Sequence, residues 1–260
     1  MAEVPFHKSK TMIDNHAHVG WYTDGYHSPK EIWQAELDAG IDEIAVSSTS
    51  TCAEKYKLVV REMRELIRLG GSSIHPILWL TPKMMKTWGL SYMLHSKIRW
   101  QGVKMHWRAH REWYYNRKLL HNALEVARRL EIPVLFHTGD FKECKAGVFK
   151  DICKQYDDLT FVLAHGRPLD EAKNVLEECP NVYVDTAFMP AEHVKELADA
   201  GYSNRILFGT DAPINLLYNR EVSATDYIRN CLKELQDTLS PEQFKLITEL
   251  SQVNIHSSSD

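Results

Sequence analysis

The chain has 260 residues, 44% of them hydrophobic and 25% charged, with 31 Lys and Arg against 35 Asp and Glu for a formal net charge of -4. These proportions exclude a disordered or fibrous chain, and a chain this long buries roughly three-quarters of its unfolded surface without needing disulfides or metal to fold. With no basic excess, nucleic acid and anionic membranes are poor partners and a small molecule is the better expectation. The five cysteines are scattered and odd in number, with no CxxC pair, which favours a reducing cytoplasm. The opening MAEVPFHKSK has no apolar signal-peptide core, and runs such as Ile77-Leu78-Trp79-Leu80 fall far short of the ~20 residues that span a bilayer. A soluble cytoplasmic protein is expected, with homo-oligomerisation left open.

In chain order, short runs rich in Ile, Val, Leu and Phe alternate with longer stretches of helical period, the pattern of βα units around a parallel sheet. Strands are predicted at residues 11–18, 42–48, 73–80, 99–106, 133–137, 160–165, 182–185 and 206–211. Ser28-Pro29-Lys30-Glu31 opens the first helix with an N-cap and a proline in the first turn. Further helices are predicted over 56–69, ending at Gly70-Gly71, and over 118–130, 146–156, 170–178, 191–200 and 225–239. Ser240-Pro241 opens a last short one, and the tail 256–260 is expected to fray.

Eight strands at about 28-residue spacing, without a glycine-rich phosphate fingerprint, favour an α/β (β/α)8 TIM barrel in a single domain, 1–260, over an open doubly wound sheet. Several strands close on a polar residue, among them His18, His106, His137, His165 and Asp211. At the C-terminal face of a barrel such residues read as chemistry.

The thirteen histidines amount to about one residue in twenty, roughly twice ordinary usage. In Asp14-Asn15-His16-Ala17-His18, residues two apart on a strand share a face, so His16 and His18 can grip one cation. One His-x-His pair arises easily by chance, and a lone histidine closing an apolar strand is usually a packed core residue. Several meeting at one barrel mouth with an aspartate are hard to explain as packing. Together they offer the nitrogen and oxygen ligands of a catalytic divalent-metal site, zinc being the expected ion.

His16-x-His18, His137, His165 and Asp211, in that order on strands 1, 5, 6 and 8, resemble the amidohydrolase superfamily of metal-dependent hydrolases. Gly102-Val103-Lys104-Met105-His106 and Phe208-Gly209-Thr210-Asp211-Ala212-Pro213 are similar to the branch that includes decarboxylases of aromatic and muconate-type acids. The ending from Leu246-Ile247 to Asn254-Ile255 resembles that branch's closing helix, though Asn254-Ile255 replaces its usual Asn-Ala. The resemblance covers nearly the whole chain and implies that His16, His18, His137 and Asp211 hold a first metal. It further implies that His165 contacts the water, the substrate or a second metal, and that Asp211 is the proton shuttle. In binuclear members a strand-4 lysine is carboxylated and bridges two metals. Lys104 has that position; as a plain ammonium it would bind a substrate carboxylate instead.

The loops after the strands are expected to set the substrate. Trp21, Tyr22 and His27 follow strand 1, Trp107, Arg108, His110 and Arg111 follow strand 4, and Arg167 follows His165. Arginines and aromatics suit a planar or carboxylate-bearing substrate, with Arg108, Arg167 and His106 the candidate contacts. The segment 83–88 reads as a lid or a subunit contact. Asp14 is read as a buried support for the ligands, and His75, His121, His193 and His256 as structural or solvent-facing. The leading expectation is a hydrolase cleaving an amide, ester or lactone bond with metal-activated water. A metal-dependent decarboxylase is the alternative within the fold, and a barrel that binds without turnover the alternative outside enzymology. The presence of Asp211 with every expected ligand argues against the last.

Overall fold

A computed structural model describes residues 11–252. The opening segment, Asn254-Ile255, His256 and the tail 256–260 lie outside the described residues. Strand β1 (Ile13–Tyr22) turns back through β2 (Gly25–His27). Then follow α1 (Pro29–Ala39), β3 (Glu43–Ser48), α2 (Tyr56–Gly70) and β4 (Ile74–Leu80). Short helices α3 (Pro82–Lys86) and α4 (Gly89–Leu94) lead to β5 (Gly102–Met105), α5 (Glu112–Tyr115), α6 (Arg117–Leu130) and β6 (Val134–His137). The remainder runs α7 (Lys150–Gln155), β7 (Phe161–Ala164), α8 (Leu169–Glu178), β8 (Val182–Asp185), α9 (Ala191–Leu197), β9 (Ile206–Leu207), α10 (Ala224–Thr238) and α11 (Pro241–Glu249).

The sheet order is β2-β1-β3-β4-β5-β6-β7-β8-β9, antiparallel only at the β1–β2 hairpin. Nine strands therefore stand where eight were expected. The added hairpin forms because β1 does not stop at His18 but continues to Tyr22, pairing Gly20 with His27. The sheet curls, and its far end meets its beginning. Asn15 N donates to Phe208 O (2.8 Å), Asp211 N to His16 O (2.6 Å) and His18 N to Ala212 O (2.7 Å). The result is an α/β barrel-like fold.

Both faces of the sheet are buried. Along β6 and β7, Val134, Phe136, Phe161 and Leu163 join the main core under the helices, while Leu135, Val162 and Ala164 pack inward with Leu207. This alternation explains why these strands read as continuous apolar runs. Local chemistry sets the helix ends. Ser28 and Glu31 form a reciprocal capping box at α1, and Gly40, at φ 93°, closes it in the left-handed conformation only glycine adopts cheaply. Ser240 and Gln243 repeat the box at α11.

Several predicted boundaries are corrected. The helix expected over 146–156 is a 3-10 turn, Ala146–Phe149, followed by α7. The strands expected to end on His106, His165 and Asp211 stop at Met105, Ala164 and Leu207. His165 and Asp211 then adopt positive φ, 70° and 62°. A non-glycine residue there is disfavoured by about 1–2 kcal/mol, so the strands end in sharp turns that redirect both side chains.

Candidate active site

Strand β1 carries a bulge. Between Asp14↔Ile44 and Ala17↔Val46 it advances three residues while β3 advances two. Asp14 secures this point: its carboxylate accepts from His16 N (2.8 Å), Thr210 N (3.2 Å) and Thr210 Oγ1 (2.5 Å). It thus ties β1 to the turn bearing Asp211. Burial pushes the Asp14 carboxyl up to about 7.

Beyond the bulge, His16 and His18 turn their Nε2 atoms toward one point. His16 Nδ1 lies 2.8 Å from Asp185 Oδ2, and His18 Nδ1 lies 2.9 Å from the Ser47 hydroxyl and 3.2 Å from the Ser47 carbonyl. A carbonyl accepts only, and so does an ionised carboxylate, so each Nδ1 carries the proton and each Nε2 offers a lone pair. Lys104 Nζ donates to both, at 2.6 Å to His16 and 2.8 Å to His18. Asp211 Oδ1 stands 3.2 Å and 2.7 Å from the same Nε2 atoms, yet this buried oxygen has no partner of hydrogen-bond geometry. Ligand atoms of His16, His18 and Asp211 lie within 4.8 Å of one another. Two imidazole lone pairs and an orphaned carboxylate oxygen are a donor set that fits a divalent cation.

His165 joins from the other side. Its Nδ1 faces Ala187 O at 2.9 Å, and its Nε2 lies 3.1 Å from His137 Nδ1 and 3.9 Å from Asp211 Oδ2. His137 is thus one ring removed from the His16–His18–Asp211 group, stacked on His106 with centroids 3.6 Å apart. Burial draws the imidazoles of His18 and His165 down to about 4 and those of His106 and His137 well below their ordinary range. Burial also lowers Lys104, toward the neutral amine. Burial alone would raise Asp211, but His16 and Lys104 beside it hold its carboxyl well below the usual range. The four lowered histidines are thus neutral imidazoles around an ionised carboxylate.

The ligand cluster forms the floor of a cavity of about 340 Å³, lined also by Tyr22, Trp79, Arg108, Arg167, Phe188 and Tyr218. Arg108 lies over Phe141, 4.0 Å from the ring centroid, and Arg167 has a buried Nε without a partner. The other loop residues singled out from the sequence are placed elsewhere. Trp107 is buried in the core against Phe136 and Phe149. Trp21 packs at a tilt against Tyr26 outside the cavity, and His27 pairs with Asp24. Arg111 pairs with Glu143, while His110 lines a separate groove. The segment 83–88 forms α3 and its exit. Its Lys83 and Lys86 pair with Glu54 and Glu112.

Sequence reasoning missed Asp185. Fully buried at the end of β8, it accepts from His16 Nδ1, from His165 N (2.8 Å) and from Ala187 N (3.1 Å). Burial would raise its carboxyl, but the His16 imidazole beside it holds it below the usual range. The available signal was an aspartate closing the apolar run Val182-Tyr183-Val184.

The profile of the Amidohydrolase family matches residues 96–247, more than half of the chain, and the chain belongs to that family of enzymes, whose members use a divalent metal. It resembles a probable 2-pyrone-4,6-dicarboxylic acid hydrolase from Acinetobacter baumannii, solved with citric acid bound (12% identity, TM-score 0.68, covering 95% of this chain and 99% of that one). It also resembles a 4-oxalomesaconate hydratase from Rhodopseudomonas palustris (15%, TM-score 0.62, 92% and 93%). A third likeness is a 5-carboxyvanillate decarboxylase from Novosphingobium aromaticivorans containing manganese (11%, TM-score 0.62, 85% and 78%). At such identities the likeness is one of fold. No curated protein matches the sequence. Among the described residues, no helix is long and apolar enough to cross a membrane.

Proposed function

We propose that this enzyme hydrolyses an amide, ester or lactone bond in a small carboxylate-bearing molecule, on a closed (β/α)8 barrel. The hydrogen bonds joining β1 to residues 208–212 support closure. The observation that carries the functional reading is the split environment of Asp211. Oδ1 is orphaned against two imidazole lone pairs, while Oδ2 faces His165. One oxygen is suited to a metal and the other to a proton.

His16, His18 and Asp211 would hold the ion, expected to be zinc, with His137, His165 and Lys104 completing its surroundings. When bound, the ion polarises a substrate oxygen and acidifies a water. Asp211, ionised in the resting protein, accepts the proton of the attacking water through Oδ2 and returns it to the leaving group. His165 holds a reacting oxygen. Arg108 and Arg167 clamp the substrate carboxylate, since a guanidinium fork matches carboxylate geometry. The free cysteines support a reducing, cytoplasmic setting.

Decarboxylation is the second reading. It is favoured by the two guanidinium groups at the cavity, where Arg108 and Arg167 outnumber Asp211, the one carboxylate among the described lining residues. Elemental analysis of untagged protein, expressed with zinc and manganese available and bicarbonate present, tests the site. About one metal per chain is expected, or about two if Lys104 is carboxylated. Stoichiometric metal surviving His16→Ala with Asp211→Ala refutes the assignment. Appearance of a new acid group, as opposed to CO₂ release, separates hydrolysis from decarboxylation.

A further inference from the structure

We propose that His106 is a hydrogen-bond donor to the substrate, locked in one tautomer, and neither a metal ligand nor a base. Its Nε2–H would be addressed to a carboxylate or carbonyl oxygen of the substrate. This deepens the functional reading above and rests on it for the placement of the substrate.

Three observations carry it. First, Ala109 N donates to His106 Nδ1 at 3.2 Å. A backbone N–H cannot donate to a protonated nitrogen, so the ring proton sits on Nε2. Second, the ring lies parallel to two neighbouring rings. His137 stacks on one face at 3.6 Å and 16°, and Trp79 lies nearly parallel at 5.7 Å and 10°. The imidazole can neither tilt toward the ligand cluster nor turn away from the cavity without breaking the stack. Third, His106 lines the catalytic cavity, and among the described residues its Nε2 has no partner. It is the inverse of its neighbours. His18 and His165 have Nδ1 protonated against carbonyls and present Nε2 lone pairs, as ligands do.

An Nε2–H with no acceptor, beside Lys104, Arg108 and Arg167, completes a lining of donors, and the ligand it awaits is an oxygen. Held in place before the substrate arrives, such a donor needs no reorganisation to bind it. The stack also shapes the selection: a planar acid can lie along the edge of the Trp79–His106–His137 column and meet the N–H in plane.

The test uses the full chain, metal-loaded and ¹⁵N-histidine labelled, with benzoate as the probe. His106 is assigned by comparison with His106→Gln. The expected spectrum shows a neutral Nε2–H tautomer for His106, and benzoate shifts that signal. His106→Phe, which keeps the stack but loses the donor, should bind benzoate about tenfold more weakly, and His106→Gln should recover part of the loss. A His106 proton on Nδ1, benzoate bound without moving the His106 signal, no binding by the wild type, or His106→Phe binding as tightly as the wild type would each overturn the proposal. Metal content measured on the same samples reports separately on the functional reading. Metal-free protein defeats that reading, whereas the tautomer and the benzoate response are read independently of it.

Discussion

Asp185 offers the sharpest test of how the ligand cluster is held. In Asp185→Asn the side chain keeps its shape and its Oδ1 can still accept from His165 N and Ala187 N, so the backbone turn survives. What changes is the atom 2.8 Å from His16 Nδ1. An amide NH₂ there donates, and the imidazole answers by accepting at Nδ1 and moving its own proton to Nε2. The lone pair directed at the metal position is then lost from one of the two β1 ligands. Replacing a charge-assisted hydrogen bond behind a ligating histidine costs about 10–100-fold in metal affinity, or about 1.4–2.8 kcal/mol. Zinc and manganese affinities are read by competition with a chelating indicator, with thermal unfolding of the metal-free proteins as a check on folding. Equal affinities for wild type and variant would refute the assigned roles of His16 and Asp185.

Two further predictions concern stability. The folded-state carboxyl of Asp14, raised by burial to about 7, lies above its unfolded value of about 3.9. Its contribution is fully present below about pH 4 and is lost as pH rises toward 7. Relative to wild type, Asp14→Asn should therefore gain in unfolding free energy across that window; parallel pH profiles for the two proteins would contradict this. Phe136, fully buried, stacks on Phe149 at 4.5 Å and Phe161 at 5.4 Å, so Phe136→Ala should lose about 3–5 kcal/mol in denaturant unfolding. A loss under about 1 kcal/mol would show that the stack is not closely packed.

What the sequence determined by itself is what short-range patterning encodes. Apolar runs buried on both faces marked the strands, and Ser28-Pro29-Lys30-Glu31 and Ser240-Pro241 marked helix starts through groups three residues apart. The two-residue spacing of His16 and His18 placed both on one face, where the structure finds their Nε2 atoms converging on Lys104. Only the tertiary structure decided which residues orient these groups. The carboxylate behind His16 is 169 residues away in the chain, and the cavity-side partner of His165 is a histidine 28 residues earlier. No periodicity records such pairings, because closure of the sheet creates them. The bulge in β1 and the positive φ of His165 and Asp211 are likewise products of that closure, imposed on residues whose own preference is for ordinary backbone. Trp107 looked like a substrate platform from its neighbours and is buried in the main core under the helices, packed on Phe136 and Phe149, while Arg108 reaches the cavity. The tautomers that separate an Nε2 ligand from an Nε2–H donor depend on single carbonyls and amides from other parts of the fold, and those become neighbours only when the chain has folded.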